Sequence, residues 1–355
     1  MTVLYVGLED GLQRIVLNGS GKAERVIDKG PVMDVQVDPV DPNNVYAAVS
    51  GRGVYRSDDN GRSFEQTNNQ FRSQRVWSLA VSASERGSDG GVVYAGTLPS
   101  AAYRSEDGGR NWRELTAFQD VPGQENWSFP PQPTTHLIHK IAVPVNEPAT
   151  VLAGIELGGV VKSTDGGESW AQVEGAGWDC HELRTHPDAP GHYYESDGAG
   201  YVESLDYGKT WRVACEGIPD KLRYFYAMAV DPGDPDNVLI SCSRDQYTGH
   251  ALRPNTLAWD RNFEVDFEVF STIYRRPKTD GEWHEVTSGL PKPDGSPLGR
   301  FATSPAESGV FYYWTVAGEL FRSSDGGENF EQVHIKWPDD AKRIVHSAAA
   351  TEEAL

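Results

Sequence analysis

The chain of 355 residues predicts an all-β fold, a seven-bladed β-propeller of four-stranded antiparallel blades. Three observations carry that prediction. A frame Ser-x-Asp-x-Gly-x-x-Trp/Phe recurs at residues 57–64, 105–112, 163–170, 204–211 and 323–330. An alternating strand recurs ahead of it, starting at Val32, Val76, Ile138, Cys180, Phe225 and Leu298, with a further copy at Ile344. Finally, the two chain ends are complementary. The copy at Ile344 has no strands after it, and the N-terminus offers three strands with none before them.

The frame reads as a hairpin device. Its Ser ends one strand, its Asp carboxylate accepts backbone N–H bonds across the turn, and its Gly takes a positive φ that other residues resist. The aromatic then opens the next strand and packs back on the sheet. These carboxylates are committed to their own turns, so Asp107 and Asp165 read as structural.

Each blade repeats one order of elements. In the second blade, Val32–Pro39 is strand A, Asp41–Asn44 a turn, Val45–Val49 strand B, Gly53–Ser57 strand C and Ser63–Gln66 strand D. Period-two alternation and turn residues give strands throughout. Val3–Gly7, Leu12–Leu17 and Ala23–Ile27 read as B, C and D of a first blade, and Ile344 onward supplies its A strand. That pairing closes the ring and removes its open edges. The sixth blade carries a degraded frame, Thr279–Trp283, without the Ser. The prediction is one propeller domain over 1–355, with an insertion at 244–270 over the channel mouth.

Composition excludes several classes of function. A net charge of −20 and a pI near 4.8 argue against nucleic acid and anionic membrane surfaces as partners. No apolar run is long enough for a membrane span. Met1–Gly7 is already strand-like and has no basic leader. Three unclustered cysteines, Cys180, Cys215 and Cys242, fit a reducing compartment. The expectation is a cytoplasmic protein.

Four-stranded up-and-down blades put the A–B and C–D turns on one face and the B–C and D–A loops on the other. The first set is short and formulaic. The long irregular segments, 118–137, 216–224, 244–270 and 289–298, nearly all fall on the second. Function sits on irregular loops held by a rigid scaffold. Insertion 244–270 carries His250, Trp259 and an alternating stretch, Phe263–Phe270, that reads as an extra strand. It is a lid over the channel mouth, an arm for contact between subunits, or a decorated blade edge.

Strand A places a polar third residue near that face: Asp34, Ser78, Lys140, Glu182 and Arg300 among others. The residue before it is Met33, Trp77, His139, His181 or Tyr226, and the B–C loops add Glu9, Asp10, Arg52, Glu156, Asp197 and Arg244. Such a mixture of acids, bases and cations around one opening suits a polar ligand, small or carbohydrate-like. Lys140, Glu156, Asp197, Arg244 and Trp259 are expected to bind it. Two chemistries are open. His139, His181 and Glu156, or Glu182 in its place, could hold Zn, Fe or Mn, with His250 or His346 arriving from elsewhere. Alternatively, a histidine or Tyr226 moves a proton while Arg300 or Lys140 stabilises an anion. Either suits a hydrolase or lyase with His139, His181, Glu182, Tyr226 and Arg300 in the catalytic roles. His181-Glu182-Leu-Arg-Thr-His186 is not a zinc helix motif, since its histidines are five apart on a strand.

The recurring frame resembles the Asp-box, or bacterial-neuraminidase repeat. Sialidases share it, but the chain has no Arg-Ile-Pro motif and seven A strands rather than their six blades. It is more similar to seven-bladed Asp-box propellers of the photosystem II stability/assembly factor type. The residues that carry the likeness are Val93–Gly96 with Tyr103–Trp112, and Leu152–Gly154 with Val161–Trp170. That resemblance implies a propeller, and a second function: a non-catalytic scaffold that binds a protein partner on the same face.

Overall fold

Seven four-stranded antiparallel sheets stand in a ring around a central channel, in a computed structural model that describes residues 1–17, 21–67, 70–129, 132, 134–250 and 269–353. The predicted strands are found in the predicted order. Blade four, for example, runs Ile138–Ala142, Val151–Ile155, Gly159–Ser163 and Ala171–Gln172. Its neighbour, blade five, runs Cys180–Thr185, Tyr193–Asp197, Gly200–Ser204 and Arg212–Val213.

The ring closes through its ends. Val345–Glu352 pairs antiparallel with Thr2–Leu8, from Thr2 opposite Glu352 to Leu8 opposite Val345. Every blade therefore has its four strands, although one blade is built from both ends of the chain.

Apolar residues pack mainly between neighbouring blades. Tyr46, Ala48 and Val54 of blade two meet Leu79, Val93 and Trp112 of blade three in one buried cluster. Burial on both faces explains why strand B residues such as Val45–Val49 are all buried. Each sheet needs a neighbour to cover its apolar surface.

The hairpin device forms as expected. Ser163 Oγ donates to Asp165 (2.8 Å) and accepts from Gly167 N (2.8 Å). The Asp165 carboxylate accepts from Ser169 N (2.9 Å) and Ser169 Oγ (2.6 Å). Gly166 and Gly167 take φ of 74° and 97°. In blade six, Arg276 occupies the missing Ser position, and its guanidinium crosses to Glu203 of blade five at 2.6 Å. Glu203 in turn stands where blades two and three have Arg56 and Arg104.

Two expectations change. The A–B turns are not all short: blade three extends a long hairpin from Val76–Gly87 to Gly90–Thr97. The phase of strand A also differs. The register shifts after its first residue in blades two to five, between Val32 and Asp34, Val76 and Ser78, Ile138 and Lys140, and Cys180 and Glu182. A β-bulge re-aims the extra residue. Met33, Trp77, His139 and His181, the second positions, thus line the channel. Of the third positions, Ser78 is buried and donates from Oγ to Ile138 O of the next blade (2.9 Å), whereas Asp34 borders the channel and accepts from Leu79 N (2.9 Å). Lys140, Glu182 and Arg300 do face the channel.

Candidate active site at the channel mouth

The channel has a volume of about 670 Å³. One arc of its mouth is a run of rings from successive blades. Trp77 and His139 centroids lie 6.4 Å apart, His139 and His181 5.7 Å, His181 and Tyr226 5.1 Å. The Arg300 guanidinium covers the Tyr226 ring at 4.5 Å and bonds its hydroxyl at 3.1 Å. The bulged strands place these rings. The loop ends place the carboxylates that meet them.

Glu156 follows strand B of blade four and points back at strand A. Its Oε2 lies 2.7 Å from His139 Nδ1, which also lies 3.1 Å from Cys180 O. Both partners are acceptors, so Nδ1 carries a proton, and in the neutral ring the lone pair sits on Nε2. His181 is fixed in the same sense, with Nδ1 2.6 Å from Phe225 O. Its Nε2 lies 3.6 Å from Asp179 Oδ2 and is buried without a hydrogen bond. Asp179 itself is pinned, its N–H donating to Asp197 Oδ2 at 2.6 Å and its carbonyl accepting from Gly198 N at 3.0 Å.

Burial would raise the Glu156 carboxyl, but the positive charge that His139 carries when protonated, its hydrogen bond, and the same charge on His181 behind it hold the carboxyl below the usual carboxylate range. Asp179 goes the other way: burial raises it, Glu156 and Asp197 add to the rise, and His181 only partly offsets it. Deeper in blade five, burial and the charge of Asp197 push Glu195 up to about 8. Tyr224, raised by burial and by Glu156, stays a neutral phenol with its oxygen 2.9 Å from His250 Nε2.

The structure thus brings together His139, His181, Glu156, Tyr226 and Arg300 from the expected set. Glu182 stands apart in the channel wall between Lys140 (3.6 Å) and Arg184 (3.2 Å). The Asp197 carboxylate is taken up by the backbone of Asp179 and Ala199. Arg244 stacks over Phe270 at 4.6 Å. His250 ends the short helix Gln246–His250 beside Tyr224 and Tyr226, and His346 pairs with Glu9 at 2.7 Å. His186 bonds Asp231 O at 3.0 Å and does not join His181. Trp259 and most of the alternating stretch 263–270 lie outside the described residues. Sequence reasoning missed Asp179 and Tyr224. Each directly precedes a strand-A copy, where blades two and four have Pro31 and Leu137, and extending the repeat alignment by one residue exposes both.

Fold and mouth together define a seven-bladed propeller with a polar, histidine-rich channel opening. No protein-family model matches the chain, and no curated protein matches it. Among solved structures it is similar to an ancestral GH74 enzyme, at 16% identity and a TM-score of 0.60 over 97% of this chain and 39% of that one. It is also similar to the GH74 enzyme of Niastella koreensis, at 14% and 0.61 over 92% and 46%. A third likeness is to YCF48 bound to D1 peptide, at 17% and 0.52 over 85% and 81%. The chain spans less than half the length of those two GH74 structures, and the likeness is one of fold.

Proposed function

We propose that the channel mouth is the active site of a hydrolase or lyase acting on a small polar or carbohydrate-like substrate. The observation that carries this reading is the dyad of His139 and Glu156. A carboxylate on Nδ1 leaves Nε2 as the acceptor, the arrangement of a general base oriented by a third group. His139 is the proton acceptor in this reading, from a water for hydrolysis or from carbon for elimination. Arg300, held by Tyr226 and by His346 O at 2.8 Å, stabilises the anion that develops. His139 then returns that proton to the leaving group or to the product. Trp77 at the mouth and the exposed Trp178 beside Asp179 offer faces for sugar rings. The similarity to GH74 enzymes supports a carbohydrate-like substrate.

The test is a turnover screen over glycosides, lactones and uronic acids, with His139→Gln as control. The reading expects activity that the variant loses by about a hundredfold or more. Activity undiminished in His139→Gln would defeat it. A second reading, a scaffold holding a protein segment on the same face, is favoured by the peptide-bound YCF48 neighbour. Capture of a defined peptide by a protein inert in the screen would select it. Under either reading we place the protein in the cytoplasm, without nucleic-acid or membrane partners, and the insertion 244–270 could join two copies.

A further inference from the structure

The pair His181 and Asp179 is not explained by acid–base chemistry alone. Phe225 O can only accept, so His181 Nδ1 donates to it and the neutral ring holds its lone pair on Nε2. That nitrogen has no hydrogen-bond partner, its side chain is 1% exposed, and it faces Asp179 Oδ2 at 3.6 Å. A lone pair opposite a carboxylate is repulsive unless something positive lies between them. A proton is a poor answer, because 3.6 Å is long for an N–H···O bond and Asp179 Oδ1 is also buried without a partner. Glu156 completes the constellation: one ligand atom from each of Glu156, Asp179 and His181 lies within 4.8 Å of the others.

We propose that Glu156, Asp179 and His181 form a site for one divalent cation, borderline Zn2+ or harder Mn2+. One imidazole and two carboxylates suit those ions. Bonds of about 2.1 Å place neighbouring ligand atoms about 3 Å apart, so the carboxylates rotate inward to close the site. For Asp179 and His181 that movement breaks nothing, because Oδ1 and Nε2 have no bonds to give up. The second layer is already present. His181 is oriented by Phe225 O, and His139 holds Glu156 Oε2. Metal-bound histidines and carboxylates are fixed in this way. Gly198 clears the space, since a Cβ there would overlap the Asp179 carboxylate. This assignment differs from the set expected from sequence, because Asp179 replaces His139 as a ligand and His139 becomes a positioning residue. It stands whether or not the channel is catalytic.

The experiment is metal binding by the full chain, purified without an affinity tag and stripped with chelator. Zn2+ and Mn2+ are titrated calorimetrically, and stoichiometry is read by elemental analysis. About one equivalent is expected. Glu156→Gln, Asp179→Asn and His181→Gln should each weaken binding by about a hundredfold, and His139→Gln by about tenfold. Gly198→Ala is an independent probe that keeps every ligand residue but pushes on the Asp179 carboxylate, and it should weaken binding. Added metal should raise the melting temperature of the wild type but not of Asp179→Asn. No uptake of either ion, or full affinity in both Asp179→Asn and His181→Gln, overturns the site. Binding is read without substrate, so its failure leaves the acid–base reading standing, and a failed turnover screen leaves the metal site standing.

Discussion

His139 Nδ1 lies 2.7 Å from Glu156 Oε2, a contact between the first strand of blade four and the residue that follows its second. The two are 17 residues apart, and the hairpin between them delivers both to the same end of the sheet. Glu156 is held below the usual carboxylate range, so the folded protein resists protonating it more than the unfolded chain does. Its contribution to stability is present above that range and is lost as pH falls through it. Glu156→Gln should therefore melt lower than the wild type near pH 7. The gap should close toward pH 3, as read from melting curves of both proteins across that span.

Glu195 predicts the opposite sign. With its carboxyl raised to about 8 by burial and Asp197, the folded state keeps a proton that the unfolded chain releases near 4.5. Stability should fall as pH rises between those values, by up to about 1.4 kcal/mol per unit. Glu195→Gln carries a permanently neutral group of the same shape. Its unfolding free energy should be flatter over that window, and equal slopes for the two proteins would refute the assignment.

Arg276 and Glu203 form a buried ion pair between blades five and six, at 2.6 Å with side chains 1% and 0% exposed. Glu203 is also held by Arg212 at 2.8 Å and His192 at 3.1 Å, so it keeps partners when Arg276 is removed. Arg276→Met should therefore cost about 1.5–3 kcal/mol in denaturant unfolding. Glu203→Gln leaves the buried Arg276 charge without its carboxylate and should cost more, about 3–5 kcal/mol, and the reverse order would refute the assignment.

Ser163 is 1% exposed and lies at the far end of its strand from Glu156. Ser163→Ala leaves the buried Gly167 N–H without its acceptor, at a cost of about 1–3 kcal/mol. Metal uptake at the mouth should not change. Reduced uptake in this variant would mean that the turn and the site are coupled.

The ring was legible in the sequence because its devices are local. The Ser, Asp, Gly and aromatic of each hairpin act within eight residues, and the copies from Val32 to Ile344 count the blades. The mouth was less legible. Whether His139 or Lys140 reaches the opening depends on a bulge, which is a property of pairing rather than of composition. Glu182 matched the pattern of a catalytic acid, but Lys140 and Arg184 from the surrounding wall take it up. Asp179 lies in a loop whose course is set by Asp197 and Gly198, residues 18 and 19 positions further on. Arg276 and Glu203 each depart from the repeat, and only their contact explains why both departures are tolerated.

The strand Val345–Glu352 does more than fill an edge. His346 belongs to the channel, and its carbonyl receives Arg300 Nε. The same strand therefore serves as latch and as wall: a change that unpairs it from Thr2–Leu8 opens the ring and takes the Arg300 anchor away in one event.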